Sequence, residues 1–107
     1  MIIQTHTDKN IQGDERLQTY VSDMIKSELG RFSDRVSRIE IFFKDENGPK
    51  PGVNDKHCSI EARIEGMKPV GATDQADTVD LALQGAIEKI KHILTSTLDQ
   101  LRDSHRK

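Results

Sequence analysis

Tryptophan is missing from this sequence, tyrosine occurs once, and aromatic residues make up only 4% of it. Packing must therefore rest on aliphatic side chains. Cysteine is equally scarce: the single Cys58 excludes an internal disulfide and fits a reducing compartment. Apolar runs fall far short of the roughly 20 residues that cross a bilayer. The opening Met1-Ile2-Ile3-Gln4-Thr5 lacks the basic start and apolar stretch of a signal peptide. These absences point to a cytoplasmic protein without a membrane segment. Positive charge is not in excess either. Sixteen Lys and Arg stand against 18 Asp and Glu, a formal charge of −2. Global electrostatics would therefore not draw the chain to nucleic acid or to an anionic membrane.

What is present suits one modest core. The 107 residues are 34% hydrophobic and 32% charged, and spaced Ile, Leu and Val separate them from a disordered chain. A single domain over residues 1–107 is expected.

Residues Ile2 to His6 are β-prone, Thr7 to Asn10 are polar, and Gly13-Asp14 marks a helix entry. From there Leu17, Tyr20, Val21, Met24, Ile25, Leu29 and Phe32 recur at helical spacing, with Gly30 marking the helix end. From Val36 to Lys44 the period becomes two. Ile39, Ile41 and Phe43 share one face, and Arg38, Glu40, Phe42 and Lys44 the other. The Gly- and Pro-rich stretch Glu46 to Gly52 predicts a loop. Cys58, Ile60, Ala62 and Ile64 then alternate with His57, Ser59, Glu61, Arg63 and Glu65. A turn at Gly66 to Pro69 leads to a weaker strand at about Val70 to Thr73. The three later strands are expected to form an antiparallel meander with one solvated face.

The last segment is the most regular. Its apolar face runs through Val79, Ala82, Leu83, Ala86, Ile87, Ile90, Ile93, Leu94, Thr97, Leu98 and Leu101. Asp77 is the candidate N-cap, and the helix is expected to reach close to Arg102. The order is β-α-β-β-β-α. This is an α+β fold whose four-stranded sheet buries both helical stripes on one face.

Motifs for chemistry are not found. Strand alternation puts His57 and Cys58 on opposite faces, so they cannot act as a couple and Cys58 reads as a small core residue. His6, His57, His92 and His105 are scattered singly, without the spacing of a metal site. The glycines lack the following helix of a phosphate-binding loop. No cofactor, no metal and no catalytic residue are expected. Each helix carries about as many acidic as basic residues, so a basic patch requires Lys26, Arg31, Arg35, Lys89 and Lys91 to converge in the fold.

Several stretches together carry a resemblance. They are Arg31-Phe32-Ser33-Asp34-Arg35-Val36, Ile39 to Glu46, Cys58 to Arg63, and a helix holding Ala82-Leu83 and Ile87-Glu88-Lys89-Ile90. Over nearly the whole chain this pattern resembles the bacterial ribosome hibernation-promoting factors and ribosome-associated inhibitor A proteins, in their short form. The resemblance implies a double-stranded-RNA-binding-domain-like fold without catalytic activity. It also implies a role in translation regulation and stress response. Such factors lodge in the mRNA and tRNA channel of the small ribosomal subunit, block initiation and protect idle ribosomes.

Carried over to this sequence, the implied RNA contacts are Lys26, Arg31, Arg35, Lys44, Lys89 and Lys91. The chain departs from the family pattern at Glu28, where lysine is frequent, and at His92, Ser96 and Leu98, where basic residues are. Leu94, Leu98 and Leu101 extend the apolar stripe beyond what a short sheet would cover. They are candidates for a homodimer interface or for a protein-interaction module without ribosome binding.

Overall fold

Two strands with one apolar and one solvated face set the architecture. The computed structural model describes residues 1–46 and 55–104, with side chains as far as Leu101. Strand β2 (Val36–Asp45) pairs antiparallel with β3 (Lys56–Ile64), and β3 with β4 (Val70–Ala76). Ile39, Ile41 and Phe43 point inward beside Cys58, Ile60, Ala62 and Ile64, all buried, as the alternation predicts. The register slips between Val36 and Arg38, a bulge that turns Val36 into the core as well. Beyond Glu46, the expected loop lies outside the described residues, as do His105, Arg106 and Lys107.

Strand β1 (Ile2–Thr7) lies parallel to β2, with Ile3 opposite Ile39 and Thr5 opposite Ile41. A parallel neighbour needs a crossover, and α1 (Glu15–Leu29) supplies it. The mixed sheet therefore runs β1-β2-β3-β4, with the antiparallel meander filling its last three places. Helix α1 sits beside β1, while α2 (Val79–Ser104) packs mainly over β4 and β3. Val21, Ile25 and Leu29 of α1 meet Ala82, Leu83, Ala86, Ile87 and Ile90 of α2 in a single core over one sheet face. The Tyr20 hydroxyl donates to Asp80 and ties α1 to the first turn of α2.

Local chemistry explains the helix ends. The Asp14 carboxylate accepts the Leu17 amide at 3.1 Å, capping α1. The helix stops at Gly30 as expected, but Gly30 is right-handed (φ −59°) and the chain tightens into a 3-10 turn over Gly30–Phe32. For α2 the expected cap is one residue off. Thr78, not Asp77, closes the helix: its Oγ1 accepts the Leu81 amide at 3.1 Å and its carbonyl the Ala82 amide at 3.0 Å.

Three further expectations are corrected. Strand β4 extends past Thr73 to Ala76, because Asp74, Gln75 and Ala76 keep their pairing with Cys58, His57 and Lys56. His57, on the face that alternation makes the solvated one, is half-buried and not fully exposed, with Nε2 3.3 Å from a Glu46 carboxylate oxygen. Leu94 is fully buried, so it belongs to the core and not to a docking surface. Leu98 also packs against this core, lining a groove with Phe32 of the 3-10 turn. Leu98 and Leu101, both half-buried, keep some apolar surface at this end.

One close approach fixes how α2 lies on the sheet. A Cβ on Gly85 would overlap Asp74 Oδ2 and stand 2.7 Å from its Cγ. Glycine is therefore what leaves room for the Asp74 side chain under the helix.

Candidate nucleic-acid interface

The six basic candidates do not share one part of the surface. Arg31 and Arg35 come together at the end of α1. The Arg31 guanidinium stacks on Phe32, its carbon 4.7 Å from the ring centroid, and Nη2 donates to Thr95 Oγ1 at 3.3 Å. Both arginines line the groove that also holds Asp34, Thr95, Leu98 and Asp99. Lys26 lies elsewhere, in an open groove between α1 and β1 with Gln4, His6, Ser22 and Asp23. Lys44 is exposed on the solvated face of the sheet, away from both helices.

The two α2 lysines are held by neighbours. Lys89 Nζ donates to Asp74 Oδ1 and to the Thr73 carbonyl, each at 3.1 Å. Lys91 Nζ donates to Glu28 Oε2 at 2.6 Å and to Glu88 Oε1 at 3.3 Å. The glutamate at position 28 is thus more than an added negative charge. It reaches across from α1 and neutralises one on α2, holding the Lys91 ammonium above its usual pKa. Arg31 and Arg35 share one groove, and Thr95, which Arg31 reaches, donates to the Lys91 carbonyl at 2.9 Å, so Lys91 stems from the same α1–α2 seam while its ammonium is held by carboxylates.

The bond from Lys89 holds the Asp74 carboxyl below the usual carboxylate range. A depressed carboxyl contributes stability that is complete above its unfolded pKa of about 3.9 and is lost as pH falls through the folded value. Asp74→Asn should therefore flatten the acid limb of a stability–pH curve followed by circular dichroism. An unchanged limb would remove the ion pair from the account.

Cys58 is buried at 0% exposure, and burial, reinforced by Asp74, pushes its thiol up to about 12. At neutral pH it is a protonated core side chain, not a nucleophile. At the far end of the sheet, Lys56 bridges two buried carboxylates, Asp55 at 3.0 Å and Asp45 at 3.4 Å. Among the described residues, no group of three or more His, Cys, Asp or Glu is placed to hold a metal ion, and no helix is long and apolar enough to cross a membrane.

Sequence reasoning missed one surface feature. His6 of β1 and Phe42 of β2 stack on the open sheet face, with ring centroids 4.8 Å apart and planes inclined by 14°. The signal was present, since alternation places Phe42 among the outward residues. Their partnership depends on the parallel β1–β2 register, which alternation does not encode.

Comparison with known proteins agrees with this architecture. The family model described as Sigma 54 modulation protein / S30EA ribosomal protein matches residues 4–102. Among solved structures, a ribosomal subunit interface protein from Coxiella burnetii superposes with a TM-score of 0.72 at 17% identity, covering 92% of this chain and 99% of that one. The N-terminal domain of Thermus thermophilus Protein Y also gives a TM-score of 0.72, at 14% identity, covering 91% of this chain and 99% of that one. At these identities the two structures speak for the fold. No curated protein sequence matches the chain.

Proposed function

The chain belongs to the Sigma 54 modulation protein / S30EA ribosomal protein family, and from this we propose that it is a cytosolic, non-enzymatic factor that binds the small ribosomal subunit through its RNA. The family match over residues 4–102 is the observation that carries the reading. In this proposal the whole chain acts as one domain in the mRNA and tRNA channel, inhibiting translation or stabilising idle ribosomes. The Arg31–Arg35 groove is the principal RNA contact, with Lys26 and Lys44 as outlying ones. Lys89 and Lys91 contribute less, because each must first leave a carboxylate. A homodimer through α2 has weaker support, since Leu94 is core and Leu98 is partly covered.

Co-sedimentation with small subunits at low salt tests the reading. The protein should travel with the subunits, and failure to do so with subunits in excess would refute it. Charge variants then locate the contact. Arg31→Ala with Arg35→Ala should reduce the log–log salt slope of binding by about 1–2. Glu28→Gln combined with Glu88→Gln should release Lys91 from both carboxylates and steepen the slope by about 0.9 if one phosphate contact is gained. An unchanged slope in that double variant would exclude Lys91 from the RNA contact.

A further inference from the structure

The solvated face of the sheet carries a feature that the helical cations do not explain. Of the three phenylalanines, Phe32 and Phe43 are buried, whereas Phe42 is 40% exposed. It stands in a transverse row that crosses all four strands: His6 opposite Phe42, Phe42 opposite Ser59, and Ser59 opposite Thr73. Half of this row is aromatic and half is hydroxyl. His6 stacks on Phe42 from the β1 side. Towards β4 the row drops to Ser59 and Thr73, whose hydroxyls share a hydrogen bond at 3.0 Å. A shallow polar shelf therefore opens beside the ring.

Cross-strand stacking explains why His6 and Phe42 meet. It does not explain why the other side of Phe42 is left low and hydroxyl-lined. The charges on this face are mixed, with Glu40 opposite an exposed Glu61, and the cation nearest the ring along β2 is Lys44. Glu40 lies 3.3 Å from the Arg38 guanidinium and 3.4 Å from His6 Nε2, while Lys44 is exposed two residues beyond Phe42 on the same face. Arg63 is a further exposed cation on β3, with Glu61 between it and Ser59. A protein partner would want contiguous apolar area, which this row of His, Phe, Ser and Thr does not offer.

We propose that this face is a second RNA contact, on which Phe42 stacks one unpaired nucleobase of a single strand. Ser59 and Thr73 meet the base edge, and Lys44 meets the neighbouring phosphate. An aromatic ring on an open sheet suits this chemistry because every base has a π-face, while the sugar–phosphate chain needs only a nearby cation. The inference rests on the RNA-binding reading above and adds the single-stranded class of target to it.

Fluorescence anisotropy with a labelled single-stranded oligouridine, at low salt and with the full chain, provides the test. Phe42→Ala should weaken binding by about 5- to 100-fold. Phe42→Trp should retain binding, with its new indole emission quenched as RNA is added. Because the ring lies on the solvated face and not in the buried core, thermal unfolding of Phe42→Trp should stay near the parent's, and that of Phe42→Ala should fall only modestly through the lost stacking on His6. The inference is overturned if Phe42→Ala binds the oligouridine as the parent does, or if the parent does not bind it. It is equally overturned if Phe42→Ala weakens binding to a blunt RNA duplex to the same degree, since a duplex presents no unstacked base. Co-sedimentation of the parent with ribosomal subunits is read separately, so either result leaves the broader reading to its own experiment.

Discussion

Truncating Leu94 to alanine should lower the unfolding free energy by about 2–5 kcal/mol, measured by urea denaturation followed by far-ultraviolet circular dichroism. Leu94 has no exposed surface. Removing its isobutyl group loses both its transfer free energy and the contacts of the cavity wall, and two packed layers cannot collapse to fill the gap. Leu81 on the same helix provides the contrast. It is 53% exposed, and Leu81→Ala should change stability by no more than about 0.5 kcal/mol. Protein concentration separates core from interface. A core loss is the same at every concentration, whereas an interface loss varies with it by mass action. A small or concentration-dependent effect at Leu94 would restore the interface reading.

Gly85→Ala should destabilise the fold by about 1–3 kcal/mol through overpacking, although alanine in a helix interior ordinarily gains about 0.8–1 kcal/mol over glycine. The obstacle is specific, since the added methyl would overlap the Asp74 carboxylate. Asp74 cannot swing away without leaving Lys89. A double-mutant cycle makes the cause visible. In an Asp74→Ala background the overlap vanishes, and Gly85→Ala should become neutral or stabilising. If the alanine costs as much there as in the parent, the close passage of α2 over β4 is not what requires glycine.

Much of this architecture could be read from residue pattern because each element has one wet face. The alternation through β2 and β3, and the helical stripe from Val79 onward, are the direct imprint of burial on one side. The parts that could not be read depend on partners distant in sequence. Nothing in Ile2 to Thr7 specifies a parallel neighbour, and the register slip after Val36 is invisible to a period-two count. The cap of α2 fell on Thr78 because hydroxyl and carboxylate are near-equal caps, leaving adjacent positions to be decided by backbone geometry. For the candidate site, composition identified the cations but not their availability. Lys89 and Lys91 look alike in sequence to Lys26, yet a β4 aspartate and an α1 glutamate occupy them. The apolar stripe of α2 overstated its exposed length for the same reason: the 3-10 turn that follows α1 lies over part of it.

The bond between Tyr20 and Asp80 also determines what light can report about this molecule. With one tyrosine and no tryptophan, near-ultraviolet absorption and intrinsic emission are dominated by a single phenol. That phenol bridges α1 and the start of α2, and its proton is held by Asp80, which raises its pKa. Tyrosine signals therefore follow the docking of one helix against the other and say little about the sheet. In this protein a tyrosine-detected transition and a far-ultraviolet one observe different events. Their coincidence would be evidence that helices and sheet come apart together.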